Sequence, residues 1–199
     1  MLEERGIKVD HSTINRWVIF YAPKMVKKLK KHQNHTFTRA WHLDETYVKI
    51  KGCWNYLYKA INKRGETIDF YLSKSRDRDA AVAFLKKALK SFKRSMLPLT
   101  INTDKHAAYG KAIKSLKKAK ELPRELVHRS VKYLNNRIES HHGKLKRLIK
   151  PTLGFKSFYS AKATIEGFEL MRMFKKGQVI GVCNVRDQVR LIWCVMNAC

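Results

Sequence analysis

Apolar residues recur along this chain with two periods, and the change from one to the other divides it. Ile14, Trp17, Val18 and Tyr21 fall at i, i+3, i+4 and i+7, one face of a helix that Asp10 or Ser12 can cap and that Pro23 should end. From Ala40 the period shortens to that of strands. Trp41 to Ile50, Cys53 to Ile61 and Glu66 to Leu72 are rich in aromatic and β-branched residues, and Gly52 and the turn Asn62-Lys-Arg-Gly65 separate them. Asp77 or Asp79 then starts a helix with Ala81, Phe84, Leu85, Ala88, Leu89 and Phe92 on one face. Pro98 to Thr103 is a short apolar strand, His106 to Lys120 a basic helix, and Leu126 to Val131 a further strand. Tyr133 to Ile149 reads as a helix with Leu134, Ile138, Leu145, Leu148 and Ile149 on its apolar side, and another runs from about Ser157 to Lys175. Three antiparallel strands followed by alternating helix and strand predict an α/β fold, a mixed five-stranded sheet flanked by helices.

Charge then narrows the function. Lys and Arg number 43 against 16 Asp and Glu, a net charge of +27 on 199 residues. Self-repulsion of that size is best relieved by a polyanion, so nucleic acid is the expected partner. No apolar run approaches the ~18 residues of a membrane span, and Met1 to Arg5 lacks the apolar segment of a signal peptide. Cys53, Cys183, Cys194 and Cys199 form no Cys-x-x-Cys pair, so reduced cytoplasmic thiols are expected, and with nucleic acid as partner a nucleoid-associated location. The Lys- and Arg-rich stretch 24–39 reads as a basic connector. Lys111, Lys114, Lys117 and Lys118 form a basic helical face, either solvated or along phosphates.

Three carboxylates stand out by position. Asp44 lies inside the first strand, where an unpaired charge is costly. Asp104 follows the apolar run Leu99 to Thr103, at the carboxyl end of a strand, where ligand sites form in sheets with parallel segments. Glu139 borders the apolar stripe of the 133–149 helix, with Asn135, His142 and Lys146 on its side at −4, +3 and +7. Hard oxygen ligands of this kind suit Mg²⁺ or Mn²⁺, and two such ions can serve phosphoryl transfer. Singly, each is better explained as an ordinary surface or salt-bridged carboxylate; the joint placement favours a metal site. His141 and His142 read equally as phosphate or proton-transfer groups and as helix surface. Trp54, Tyr56 and Tyr58 alternate along the second strand, with core packing the main expectation and base stacking the alternative.

Several segments together resemble the catalytic core of insertion-sequence transposases of the IS-six/IS-twenty-six type. They are Trp41-His-Leu-Asp-Glu-Thr-Tyr-Val-Lys49, Lys51-Gly-Cys-Trp-Asn-Tyr-Leu-Tyr-Lys-Ala60, Thr103-Asp-Lys105, His128 through Glu139, and the helix Ala163 through Met171. The 34 residues between Asp104 and Glu139, and Lys146 seven after Glu139, fit that family's Asp-Asp-Glu spacing. The resemblance covers about residues 5 to 176 and implies a ribonuclease-H-like, integrase-like fold. It implies Asp44, Asp104 and Glu139 as catalytic metal ligands for Mg²⁺ or Mn²⁺, two ions being expected, and Lys146 as a DNA contact near the scissile phosphate. It also implies strand cleavage and strand transfer at transposon terminal repeats and target DNA, by a homodimer or larger assembly.

Ahead of the core, Leu2 to Arg5, the Gly6 turn and the 12–21 helix resemble part of a helix-turn-helix, with Asn15 and Arg16 free to face bases. The family places more residues before this point, so a truncated motif is expected, its remaining helix poorly ordered unless the core covers it. Lys105 and His142 complete the expected DNA contacts. The expected organisation is a partial helix-turn-helix over 1–22, a basic linker over 23–39, the catalytic core over 40–150, and a C-terminal helical extension and tail over 151–199. The rival reading is a catalytically inert DNA-binding remnant; a general ribonuclease-H-like nuclease is a weaker one.

Overall fold

The computed structural model describes residues 6, 8–33, 38–131 and 135–197. They fall into two compact units, one of residues 35–155 and one joining the N-terminal 34 residues to 156–199. No helix among the described residues is long and apolar enough to cross a membrane.

The first unit is built on a five-stranded sheet. β1 (Ala40–Ile50), β2 (Cys53–Asn62) and β3 (Thr67–Ser73) form an antiparallel meander. The β1–β2 hairpin is possible because Lys51 and Gly52 both take positive φ (50° and 79°), and glycine does so without steric cost. After α2 (Arg78–Leu89), β4 (Thr100–Thr103) pairs parallel to β1; after α3 (Ala107–Lys118), β5 (Val127–Ser130) pairs parallel to β4. The resulting order, β3-β2-β1-β4-β5, is the mixed sheet expected of a ribonuclease-H-like fold.

Alternation along β1 places Trp41 and Leu43 with Tyr58, Ala60 and Ile101 in a core that α2 and α3 complete through Phe84, Leu85, Tyr109, Ile113 and Leu116. Each such side chain contributes roughly 1.5–3 kcal/mol on burial. Asp77 caps α2 by accepting from the Ala80 amide at 2.8 Å. α4 (Asn136–Ile149) lies against β1 and β2 and buries Ile138, His141, His142 and Leu145. Those positions are i, i+3, i+4 and i+7, so the stripe that buries α4 contains two histidines. The expected surface role for His141 and His142 is therefore corrected. Leu148, expected on the apolar side, is 55% exposed, and Tyr133 and Leu134 lie outside the described residues.

The second unit packs α1 (His11–Leu29) against α5 (Phe158–Lys175), with α6 (Val185–Asn197) beside α1. Met25 and Leu29 meet Leu170, Met173, Phe174 and Val179 in its core. Two expectations change here. Pro23 does not end the first helix, so 23–29 is helix and not linker. A proline inside a helix costs about 3 kcal/mol, and burial of Ala22, Met25 and Leu29 on either side offsets it. Nor is the helix uncovered, because α5 packs along it. At Gly167 of α5, an added Cβ would meet Ala22 Cβ at 3.4 Å and Val18 Cγ1 at 3.5 Å. The helix end expected at Leu2 to Arg5 and the linker residues 34–37 lie outside the described residues.

Candidate active site

β1 delivers two adjacent acids. Strand alternation sends Glu45 to the side of the α2–α3 core and Asp44 to the side covered by α4. Asp44 Oδ2 lies 3.5 Å from Nε2 of the buried His142. Glu45, 9% exposed, is held by Arg76, whose Nε donates at 2.6 Å and whose Nη2 approaches at 2.5 Å. Both contacts fall on Oε1, so the guanidinium pairs with a single oxygen of the buried carboxylate.

Asp104 stands just past β4, where it ends beside β5. Its Oδ1 accepts from the His106 amide at 3.0 Å, an Asx turn ahead of α3. Its main-chain carbonyl accepts from Thr103 Oγ1 at 2.7 Å and from Ser130 Oγ at 2.8 Å. Thr103 Oγ1 also lies 2.8 Å from His128 Nε2. Because the threonine proton goes to the Asp104 carbonyl, His128 must donate at Nε2. Burial, and secondarily Lys117, lowers the His128 pKa from its ordinary value.

Asp44, Glu45 and Asp104 each bring a carboxylate oxygen to within 4.8 Å of the others. The electrostatic consequence falls on Asp44. Burial first, then repulsion from Glu45 and Asp104 and more weakly from Glu139, pushes its carboxyl up to about 7. Glu139 lies exposed in the first turn of α4, outside the 4.8 Å group but with its charge acting on Asp44. The burial of the Tyr109 hydroxyl, together with the charges of Glu45 and Asp44, holds its pKa well above the ordinary tyrosine value.

Not all the expected site residues gather here. Lys105 is exposed immediately after Asp104, and Lys146 is exposed on α4. His142 is 5% exposed and packs on Asp44 instead of facing DNA. Asn135 is buried too, its Nδ2 donating to the Leu43 carbonyl at 3.1 Å, so it ties α4 to β1. Asn15 and Arg16 are exposed on α1, in the other unit. The aromatic run of β2 divides: Tyr58 is core, whereas Trp54 is 59% exposed and meets Tyr47 edge-on at 6.0 Å between centroids. Glu45 is the residue that sequence reasoning missed, although two consecutive acids in an otherwise apolar strand were its signal.

The donor set is all oxygen, partly open to solvent, and carries more negative charge than its neighbours cancel. That chemistry fits a hard divalent cation and no soft one.

Comparison with known proteins agrees with this geometry. Residues 38–178 match a family model described as a DDE domain, that of IS240-type transposases. The transposase for insertion sequence-like element IS431mec of Staphylococcus aureus (strain Mu50) is 39% identical over 179 residues, which cover 89% of this chain and 76% of that protein. The transposase for insertion sequence element IS257 in transposon Tn4003, also of Staphylococcus aureus, is 38% identical over the same shares. Among solved structures, the catalytic core domain of BIV integrase aligns over 80% of this chain and 97% of its own, with a TM-score of 0.50 and 12% identity, a likeness of fold. Sheet order, acidic cluster and sequence identity thus converge, and the chain belongs to the insertion-sequence transposases that carry a DDE domain.

Proposed function

We propose that this chain frees a 3′-hydroxyl at the end of an insertion sequence and joins it to target DNA, using one acidic site for both steps. Asp44, Asp104 and Glu139 are the ligands of one or two Mg²⁺ or Mn²⁺ ions in this reading. Its main support is the acidic cluster itself, in which the oxygens of Asp44, Glu45 and Asp104 lie within 4.8 Å of one another, and burial first, then repulsion from Glu45 and Asp104, pushes Asp44 up to about 7. A site left so negative is one that bound divalent charge would relieve. When bound there, such ions stabilise both the attacking and the leaving oxygen of an in-line phosphoryl transfer.

The protein's own groups supply position. Asp104 is fixed through its main chain by Thr103 and Ser130, and Asp44 by its strand and by His142. Arg76 pairs with Glu45 beside them and offsets part of its charge. Lys146 and Lys105 lie along the DNA backbone, and Asn15 and Arg16 face bases from the N-terminal segment, which acts as a DNA-binding module. Joining two ends of an element to one target requires at least two copies, so the working form is a homodimer or larger assembly.

The test is a strand-transfer assay on a duplex carrying the element's terminal sequence, with Mg²⁺ supplied or chelated. Joined products should form with Mg²⁺ and vanish with chelator. DNA binding without any cleavage, at every divalent ion tried, would favour the inert remnant.

A further inference from the structure

We infer that the cavity between the β1–β2 hairpin and the C-terminal end of α4 binds an unpaired nucleotide, its base stacked on Trp54 and its phosphates facing Lys49, Lys146 and Lys150. The inference rests on the strand-transfer reading above and adds a subsite to it. The cavity measures about 580 Å³, and Tyr47, Lys49, Trp54, Lys146, Lys150 and Leu153 line it. That size falls within the roughly 300–1,000 Å³ of small-ligand sites.

Two features select the occupant. First, the walls are aromatic and exposed: Trp54 is 59%, Tyr47 45% and Leu153 92% accessible. Large apolar side chains gathered in the open mark a contact surface, and an indole edge-on to a phenol offers a flat face to a third ring. Second, three lysines and no carboxylate stand among the described residues around it. Aromatic platforms flanked by cations are how single strands are held without regard to sequence, since every base has a π-face. A base inside a duplex shows only its edges, so the nucleotide must be unpaired.

The cavity is also wired to the acids. Arg76, which grips Glu45, donates from Nη1 to Tyr47 Oη at 3.3 Å, so one guanidinium spans the aromatic wall and the acidic cluster. A nucleotide seated on Trp54 would be one displaced from its partner strand close to the reacting phosphate.

The test measures binding of the whole chain, in chelator, to a short thymidine oligonucleotide and to an abasic backbone of equal length. The wild type should prefer the base-bearing strand by roughly tenfold or more, the size of one stacking contact. Trp54→Ala should lose that preference while binding the abasic strand as the wild type does, and Trp54→Phe should restore most of it. No preference in the wild type, an equal loss on both strands, or a change in self-association in place of base preference would overturn the inference. Strand transfer by Asp104→Ala is scored in parallel. Its persistence would sink the transposase reading, and the base preference is read independently of it.

Discussion

His142 Nε2 sits 3.5 Å from Asp44 Oδ2, and both groups lie beneath α4, with the histidine almost wholly buried. A residue expected to touch DNA instead packs behind the acid expected to hold metal. His142→Ala should therefore lower strand transfer and cost about 1–3 kcal/mol of stability through the space it leaves. DNA affinity and its salt dependence should stay unchanged, as filter binding over a salt series would show. A flattened salt dependence would restore the surface role.

The carboxyl of Asp44, pushed up to about 7, gives the metal-free protein a defined pH response. The folded-state pKa lies above the ordinary value of 3.8, so folding favours the protonated acid. The stability it lends is full below pH 3.8 and is lost as pH rises toward 7, by at most about 4 kcal/mol. Asp44→Asn should raise the thermal midpoint at pH 8 by several degrees and do nothing at pH 3.5. A divalent ion must displace the same proton, so Mn²⁺ affinity should weaken steadily below pH 7. Calorimetry at several pH values measures both; a pH-independent Mn²⁺ affinity would contradict the assignment of Asp44.

Much of this was legible in the chain. The strands of the meander alternate aromatic and β-branched residues with period two and stop at glycines, so tertiary packing had little left to decide. The carboxylates were found because acids inside apolar strands are costly enough to need a reason. What escaped was contextual. Pro23 marks a helix end only where local preference rules, and α5 supplies packing across it that no local signal carries. The α4 stripe was obscured because His141 and His142 counted as polar although they occupy buried positions. Glu45 escaped because its role depends on Arg76, 31 residues away.

Lys146 should act through its charge. Lys146→Ala is expected to reduce the slope of log affinity against log salt by about one and to weaken duplex binding severalfold at low salt. Titration at four or five salt concentrations decides this. An unchanged slope would remove Lys146 from the DNA path.

Gly167 tests the packing of α1 on α5. With Ala22 and Val18 at contact distance from an added Cβ, Gly167→Ala should be neutral or stabilise by up to about 1 kcal/mol, since glycine is a poor helix former. Gly167→Leu should force the helices apart and lower the thermal midpoint. Equal midpoints for the two variants would mean that the helices do not approach there.

Three acids, on β1, after β4 and on α4, are proposed to serve one metal-dependent reaction. The direct measurement is strand transfer by Asp44→Asn, Asp104→Asn and Glu139→Gln, each beside its DNA affinity in Mg²⁺. Joined product should fall by about a hundredfold or more in every variant, with DNA affinity equal to or slightly above that of the unaltered chain, because negative charge near phosphate has been removed. Undiminished strand transfer in any one of the three, at normal DNA affinity, would contradict that proposal.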